Sequence, residues 1–188
     1  SADPLLQPDG DKWFTELSRL KKRGLVEKIG ISVYSAAELD RALDRFPIDL
    51  VQTPINFLDQ RLIQSGHLQK LKRQGIEIHA RSVFLQGLLL MSPSEIPRGL
   101  SALVPHLSQV GSIADRAGLT PMQLALGFAA SLPEIDRIVV GVCSRTELEQ
   151  IIAAYSKSTL PIADAAALAL PSELDPELLN PATWPQRH

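Results

Sequence analysis

An α/β fold built on a parallel sheet is what this sequence predicts. Three observations carry that expectation. Four short β-rich runs recur along the chain, amphipathic helical stretches separate them, and several helices carry a cap residue or a glycine stop where one is needed. Alternation at this spacing implies right-handed crossovers between parallel strands. Four strands fit either an open sheet or half of a closed barrel, and periodicity does not choose between them.

The order opens with a helix. Trp13, Leu17 and Leu20 recur at helical spacing among charged residues, with Asp11 as the expected N-cap and Gly24 as the stop, so a helix is predicted over 12–23. Val26 to Ser32 is the first strand. Ser35 caps a helix over 36–45, whose apolar positions are Ala37, Leu39, Ala42 and Leu43. Ile48 to Gln52 is the second strand, broken by Pro54. A helix over 64–74 ends at Gly75, and Ile76 to Ala80 form the third strand. A longer connection, 81–99, carries Gly87, Pro93 and Pro97. Helices near 100–117 and 121–131 follow, the second opened by Thr120 as N-cap and Pro121 at the first helical position. Ile138 to Val140 is the fourth strand and 145–155 the last crossover helix. An alanine-rich segment, 162–169, precedes a proline-rich end.

The chain has 188 residues, ample for one compact domain and short of the roughly 250 of a complete eight-stranded α/β barrel. Hydrophobic residues are 45% and charged residues 21%, a balance that predicts a packed soluble core rather than disorder. A net charge of −2 gives no field for nucleic acid or an anionic membrane. The single cysteine, Cys143, rules out a disulfide within the chain and a cysteine zinc cluster, and suits a reducing cytoplasm. No apolar run approaches the roughly 18 residues of a membrane span. Ser1 to Asp11 do not read as a signal peptide. The absence of an initiator Met predicts that the chain is part of a longer polypeptide. Neither G-x-G-x-x-G nor G-x-x-x-x-G-K-[ST] occurs, nor H-E-x-x-H or G-x-S-x-G, and no metal site is expected.

The strand ends add what periodicity leaves open. Gly24-Leu25-Val26-Glu27-Lys28-Ile29-Gly30-Ile31-Ser32 resembles the aldo-keto reductase segment through barrel strand five, G-x-[VI]-[RK]-x-[IL]-G-[VI]-S-N-[FY]. Asp49-Leu50-Val51-Gln52-Thr53-Pro54-Ile55-Asn56 resembles strand six and its loop, D-x-x-Q-x-x-[YF]-N. Ile78-His79-Ala80-Arg81-Ser82-Val83-Phe84-Leu85-Gln86-Gly87-Leu88-Leu89 resembles strand seven, where the family commonly has Tyr-Ser-Pro-Leu-x-x-Gly-Leu-Leu. Val139-Val140-Gly141-Val142-Cys143-Ser144-Arg145 with Glu147 to Gln150 resembles strand eight and its helix. Each match alone is weak; four in the family's order and spacing are specific. The resemblance covers roughly 1–155 and implies a (β/α) barrel of the aldo-keto reductase type, here about half a TIM barrel. Residues 1–160 are expected to form the C-terminal half of that barrel, and 161–188 a C-terminal helix and tail that shape the substrate mouth.

The family's catalytic Asp, Tyr, Lys and His lie on its first four strands. None of His67, His79, His106 or His188 aligns with that His, so no catalytic residue is expected in this chain. The resemblance implies a nicotinamide-cofactor surface instead. Ser32 and Gln52 would meet the carboxamide, a group that both donates and accepts. The family's Asn beside that Ser is Val33 here. Arg81 replaces the Tyr that stacks under the nicotinamide, and a guanidinium also stacks. Ser82, Val83, Phe84, Leu85, Gln86 and Gly87 would wrap the pyrophosphate with backbone amides. Gly141, Ser144 and Arg145 would bring a helix N-terminus to the adenosine 2′-phosphate, which favours NADP (NADPH) over NADH. Gln150 and Ile151 replace the adenine-contacting Glu-Asn pair, and only Gln150 can hydrogen-bond through its side chain.

Outside that context these residues read as strand-end polar groups, a surface arginine and an ordinary helix cap. Cys143 reads as a small barrel-lining residue, His79 as packed, His67 as solvated, His106 as surface, and Trp184 as docking the tail. The implied function is hydride transfer between NADPH and a small-molecule carbonyl in the cytoplasm, with this chain alone silent. The alternative is a degenerate, non-catalytic structural or regulatory domain, given Val33 and Ile151. Either way, half-barrel edges are expected to be covered by the missing N-terminal half or by self-association.

Overall fold

The computed structural model describes residues 4–158 and 174–184. The alanine-rich segment and the expected boundary at 160 fall outside the described residues. The chain divides into two compact units: Ser1–Pro54, Arg61–Arg81 and Glu134–Ile138 form the first, and Ile55–Gln60, Ser82–Pro133 and Val139–His188 the second.

The first unit holds the whole sheet. It comprises helices α1 (Gly10–Lys22), α2 (Ala36–Arg45), α3 (Arg61–Gln64) and α4 (His67–Arg73), and strands β1 (Gly30–Ser32), β2 (Leu50–Pro54), β3 (Glu77–Arg81) and β4 (Arg137–Ile138). The strands lie in the order β1-β2-β3-β4, and every pair is parallel. Strand side chains alternate between faces, so the register sorts them into rows. Ile31, Val51 and Ile78 are register partners and all buried. Leu39 and Ala42 of α2 and Leu68 and Leu71 of α4 are buried too, and α4 packs on β3. The next row, Ser32, Gln52 and His79, faces the other way and is half-buried.

Aspartates set where strands begin. The Asp49 carboxylate accepts from the Ile29 N–H at 2.8 Å and from Lys21 Nζ at 2.6 and 2.5 Å. Asp136 repeats the device at the other edge, accepting from the Ile78 N–H at 2.8 Å and Lys72 Nζ at 2.7 Å. Burial pushes both carboxyls up, but the lysine and backbone donors outweigh it and hold each below the usual carboxylate range. This clamp shortens the first strand. The predicted run 26–32 pairs only over Gly30–Ser32, because Asp49 takes the Ile29 N–H by side chain and β2 begins at Leu50.

Other element ends move for local reasons. The first helix begins at Gly10, where a Cβ would overlap the Leu5 carbonyl oxygen. Asp11 is therefore not the N-cap; it sits in the first turn and pairs with Arg45 at 3.1 Å. Pro54 closes β2 rather than breaking the strand, paired in register with Arg81. The helix predicted over 64–74 is two, because Gly66 adopts a left-handed φ of 73° between α3 and α4. His67 is not solvated. It lies at the start of α4, is 15% exposed, and bonds Ser65 Oγ at 2.8 Å and Asp40 Oδ2 at 3.3 Å. The fourth strand is Arg137–Ile138 alone; Val139, placed in it by the sequence pattern, is 39% exposed.

The second unit is helical: α5 (Val104–Ala117), α6 (Pro121–Ala130) and α7 (Arg145–Tyr155), with short 3₁₀ turns at Leu88–Leu90, Pro93–Glu95 and Arg98–Leu103. The α6 start follows the sequence closely. Thr120 and Gln123 form a reciprocal capping box, with Pro121 at the first turn. Leu124 to Ala129 are all buried. Trp184 Nε1 donates to the Leu178 carbonyl at 3.1 Å, which folds the described tail back on itself. Cys143 is exposed rather than barrel-lining, since the chain has left the sheet five residues earlier.

Candidate functional site

In the first unit the sheet brings three of the expected residues onto one face. Ser32 and Gln52 are register partners, and Gln52 pairs in turn with His79, two residues before Arg81. Arg81 Nε donates to Ser32 Oγ at 3.3 Å, and its Nη2 reaches the Val33 carbonyl at 3.5 Å. The guanidinium carbon lies 4.1 Å from the Tyr34 ring centroid, a cation–π distance. Tyr34, which fills the [FY] position of the strand-five motif, thus joins the candidate constellation through Arg81. Val33 is fully buried and continues the ladder, donating its N–H to the Gln52 carbonyl at 3.0 Å.

Below that row the same face carries a charge cluster. Glu77 accepts from Lys28, from His79 Nε2 at 2.6 Å and from Arg137 Nε at 3.1 Å. The Lys28 hydrogen bond first, then His79 and Arg137, bring the Glu77 carboxyl down to about 2. His79 is therefore held by its own strand neighbour. Among the described residues no group of three or more His, Cys, Asp or Glu is arranged to hold a metal ion.

In the second unit the stretch Ser82 to Gly87 has an unusual backbone. Ser82, Leu85 and Gln86 take left-handed φ of 56°, 45° and 55°, and Gly87 follows at 83°. Left-handed backbone is costly for a side chain such as leucine, of the order of 1–2 kcal/mol. The strain is held by packing: Val83, Leu85 and Leu88 are buried to 1% or less. Turn hydrogen bonds add to it, from Leu85 N–H to the Ser82 carbonyl at 2.9 Å and from Leu88 N–H to the Leu85 carbonyl at 3.1 Å. Asn56, also buried, donates to the Ser82 carbonyl at 3.1 Å and accepts from the Leu58 and Asp59 N–H groups. Its place in the quoted strand-six motif is the signal that marks it. The N–H groups of Phe84, Gln86 and Gly87 have no partner among the described residues. Successive N–H groups around left-handed backbone form an anion-binding nest.

The start of α7 is different. Residues 141–150 are all exposed. Ser144 Oγ accepts from the Glu147 N–H at 3.1 Å, and Glu147 accepts from the Cys143 N–H at 2.6 Å. Arg145 pairs with Glu149 at 2.7 Å. A Cβ at Gly141 would meet nothing within 4 Å. Gln150 lies elsewhere on α7. It lines a cavity of about 480 Å³ with Leu90, with Thr120 to Gln123 at the start of α6, and with Ala153, Ala154 and Lys157. Gly141, Ser144 and Arg145 do not line it. Ile151 is buried and has no side-chain polar group to offer.

Residues 7–169 match the model of the aldo/keto reductase family. The chain belongs to that family. No curated protein matches it. Among solved structures, the chain is similar to the thermostable aldo-keto reductase Tm1743 in complex with the inhibitor epalrestat, at 19% identity and a TM-score of 0.62, over 83% of this chain and 52% of that one. It is also similar to aldo-keto reductase AKR11C1 from Bacillus halodurans. The holo form matches at 17% identity and a TM-score of 0.64, over 87% of this chain and 58% of that one. The apo form matches at 17% and 0.65, over 89% and 60%. The chain therefore spans roughly half to three-fifths of these structures' length. At such identity the likeness speaks for the fold: an α/β fold of the aldo-keto reductase type, present here as about half of the barrel.

Proposed function

We propose that this chain supplies the cofactor-binding half of an NADPH-dependent aldo-keto reductase acting on a small-molecule carbonyl in the cytoplasm. The observation that carries the reading is the loop Ser82–Gly87. Three N–H groups without a partner among the described residues, on strained backbone fixed by a buried apolar underside, suit the pyrophosphate of a dinucleotide. In the same unit, Gln150 brings an amide without a hydrogen-bond partner among the described residues to a cavity large enough for an adenine.

A bound nicotinamide cofactor would supply the hydride. The chain's residues would bind and orient it. Ser32 and Gln52 would hold the carboxamide by hydrogen bonds, and Arg81, steadied over Tyr34, would offer a flat cationic surface to the ring. Ser82 to Gly87 would hold the phosphates, and Ser144 with Arg145 the 2′-phosphate. No residue of the chain is assigned to proton transfer, so the chain alone is expected to bind cofactor without turning over a carbonyl.

A partner is part of the proposal. β1 and β4 are the edge strands of the four-stranded sheet. In the second unit, Leu148, Ile152 and Tyr155 share one face of α7 and are exposed. The first half of an aldo-keto reductase barrel would cover such surfaces; self-association of the chain is the substitute when that half is absent. The burial of Val33 and Ile151, where the family places polar side chains, favours a second reading as a non-catalytic structural or regulatory domain.

Fluorescence titration with NADPH tests the first reading. Saturable binding, with no NADPH-dependent carbonyl reduction by the chain alone, is the expected result. Absence of binding would leave the non-catalytic reading standing. Sedimentation of the chain at rising concentration tests the partner: a monomer throughout would remove self-association.

A further inference from the structure

We propose that a second cavity of the helical unit binds a compact amphiphilic amine, with its ammonium on Asp115 and its apolar body against Leu89, Leu107 and Leu124. The cavity has about 340 Å³ and lies between α5, the start of α6 and residues 89–93. That volume falls within the range of small-molecule sites. It is not the cavity that Gln150 lines, and the proposal does not rest on the cofactor reading.

The α5 wall of this cavity carries Ser108, Gly111, Ser112 and Asp115, spaced so that one helix face presents them all. Two of them work against the helix. Gly111 sits in its middle, where glycine is a poor helix former. Crowding does not demand it, because a Cβ there would meet nothing within 4 Å. The missing side chain instead leaves room in the cavity. Asp115 sits in the last turn, next to the negative end of the helix dipole, where a carboxylate is disfavoured. Asp115 is exposed, and its carboxylate has no ion pair or hydrogen bond among the described residues.

Both local costs fall on the face that lines one cavity, and breaches of local preference concentrate at functional sites. A bound cation would relieve the second and fill the space left by the first. The Ser112 hydroxyl donates to the Ser108 carbonyl at 3.1 Å, so its oxygen is left to accept from an ammonium. Met91 adds a polarizable thioether to the apolar side. An anion would meet the Asp115 charge, and a neutral apolar compound would leave that charge uncompensated.

The test is calorimetric titration of the full 188-residue chain with 2-phenylethylammonium at neutral pH. Saturable binding is expected. It should weaken by about tenfold or more in Asp115→Asn, and a similar loss is expected for the neutral 2-phenylethanol on the unaltered chain. Gly111→Leu should abolish binding without lowering Tm, since leucine favours the helix. No saturable binding by the unaltered chain, equal affinity in Asp115→Asn, or undiminished affinity in Gly111→Leu would each overturn the proposal. NADPH affinity should be the same in both variants, so failure here and failure of the cofactor reading are separate results.

Discussion

Two segments of the second unit offer themselves to phosphate, and the fold treats them in opposite ways. The loop 82–87 stores left-handed backbone above buried side chains and leaves three N–H groups without partners among the described residues. The stretch 141–150 is exposed throughout and satisfies itself, with Ser144 on the Glu147 N–H and Glu147 on the Cys143 N–H. An anion cradle needs donors that the core prevents from finding protein acceptors. A helix start with its own carboxylate in the first turn has already met part of that demand.

The largest expected effect comes from loosening the first segment. Leu85→Ala removes a fully buried side chain from left-handed backbone, and should cost about 2–5 kcal/mol in urea unfolding. NADPH affinity should fall in parallel under conditions where the variant is folded. A strong stability loss with unchanged affinity would show that the loop does not hold the phosphates.

A smaller effect comes from the reverse arrangement in the first unit, where a carboxylate does satisfy a backbone donor. Asp136→Asn keeps an acceptor for the Ile78 N–H but removes the charge that pairs with Lys72. It should cost about 1 kcal/mol at neutral pH, since the acceptor for the backbone N–H survives and the ion pair lost is partly exposed. The pH dependence has a definite sign. The folded pKa of Asp136, like that of Asp49, is lowered, so its contribution is present above the ordinary carboxylate range near 4 and is lost as pH falls through the folded value. The variant should therefore show a shallower loss of stability on acidification. An identical acid limb would mean that the clamp persists in the unfolded chain.

Ser144→Ala is next. Losing an N-cap costs about 1 kcal/mol. If capping is all that Ser144 does, stability falls and NADPH affinity does not. A tenfold loss of affinity at matched folding would move the stretch 141–150 back among the phosphate ligands.

The contrast between these segments also marks what a sequence discloses. The strand and helix order is legible because alternation and caps are local signals: Ser35, Thr120 and Ser144 each accept from the N–H three residues on. The strand-end motifs place Ser32, Gln52 and Arg81 on one sheet face because register follows from the hydrophobic pattern. The left-handed Leu85 and Gln86 are not legible, since no local preference favours them and only burial of their neighbours holds them. The break at Gly66 and the exposed Cys143 escape for a related reason. Each depends on where a neighbouring element ends, and element ends are set by contacts such as the Asp49 and Asp136 clamps.

The smallest expected effect separates NADPH from NADH. Arg145 is 90% exposed and Glu149 59%, so their ion pair contributes at most about 0.5 kcal/mol, and Arg145→Ala should leave Tm nearly unchanged. If the guanidinium instead turns to a 2′-phosphate, the same substitution should weaken NADPH by about tenfold and leave NADH alone, because a charge-assisted hydrogen bond is lost for one cofactor only. Parallel titrations with both cofactors decide it. Equal affinities before and after would confine phosphate recognition to the loop 82–87 and leave α7 with the adenine side alone, through Gln150.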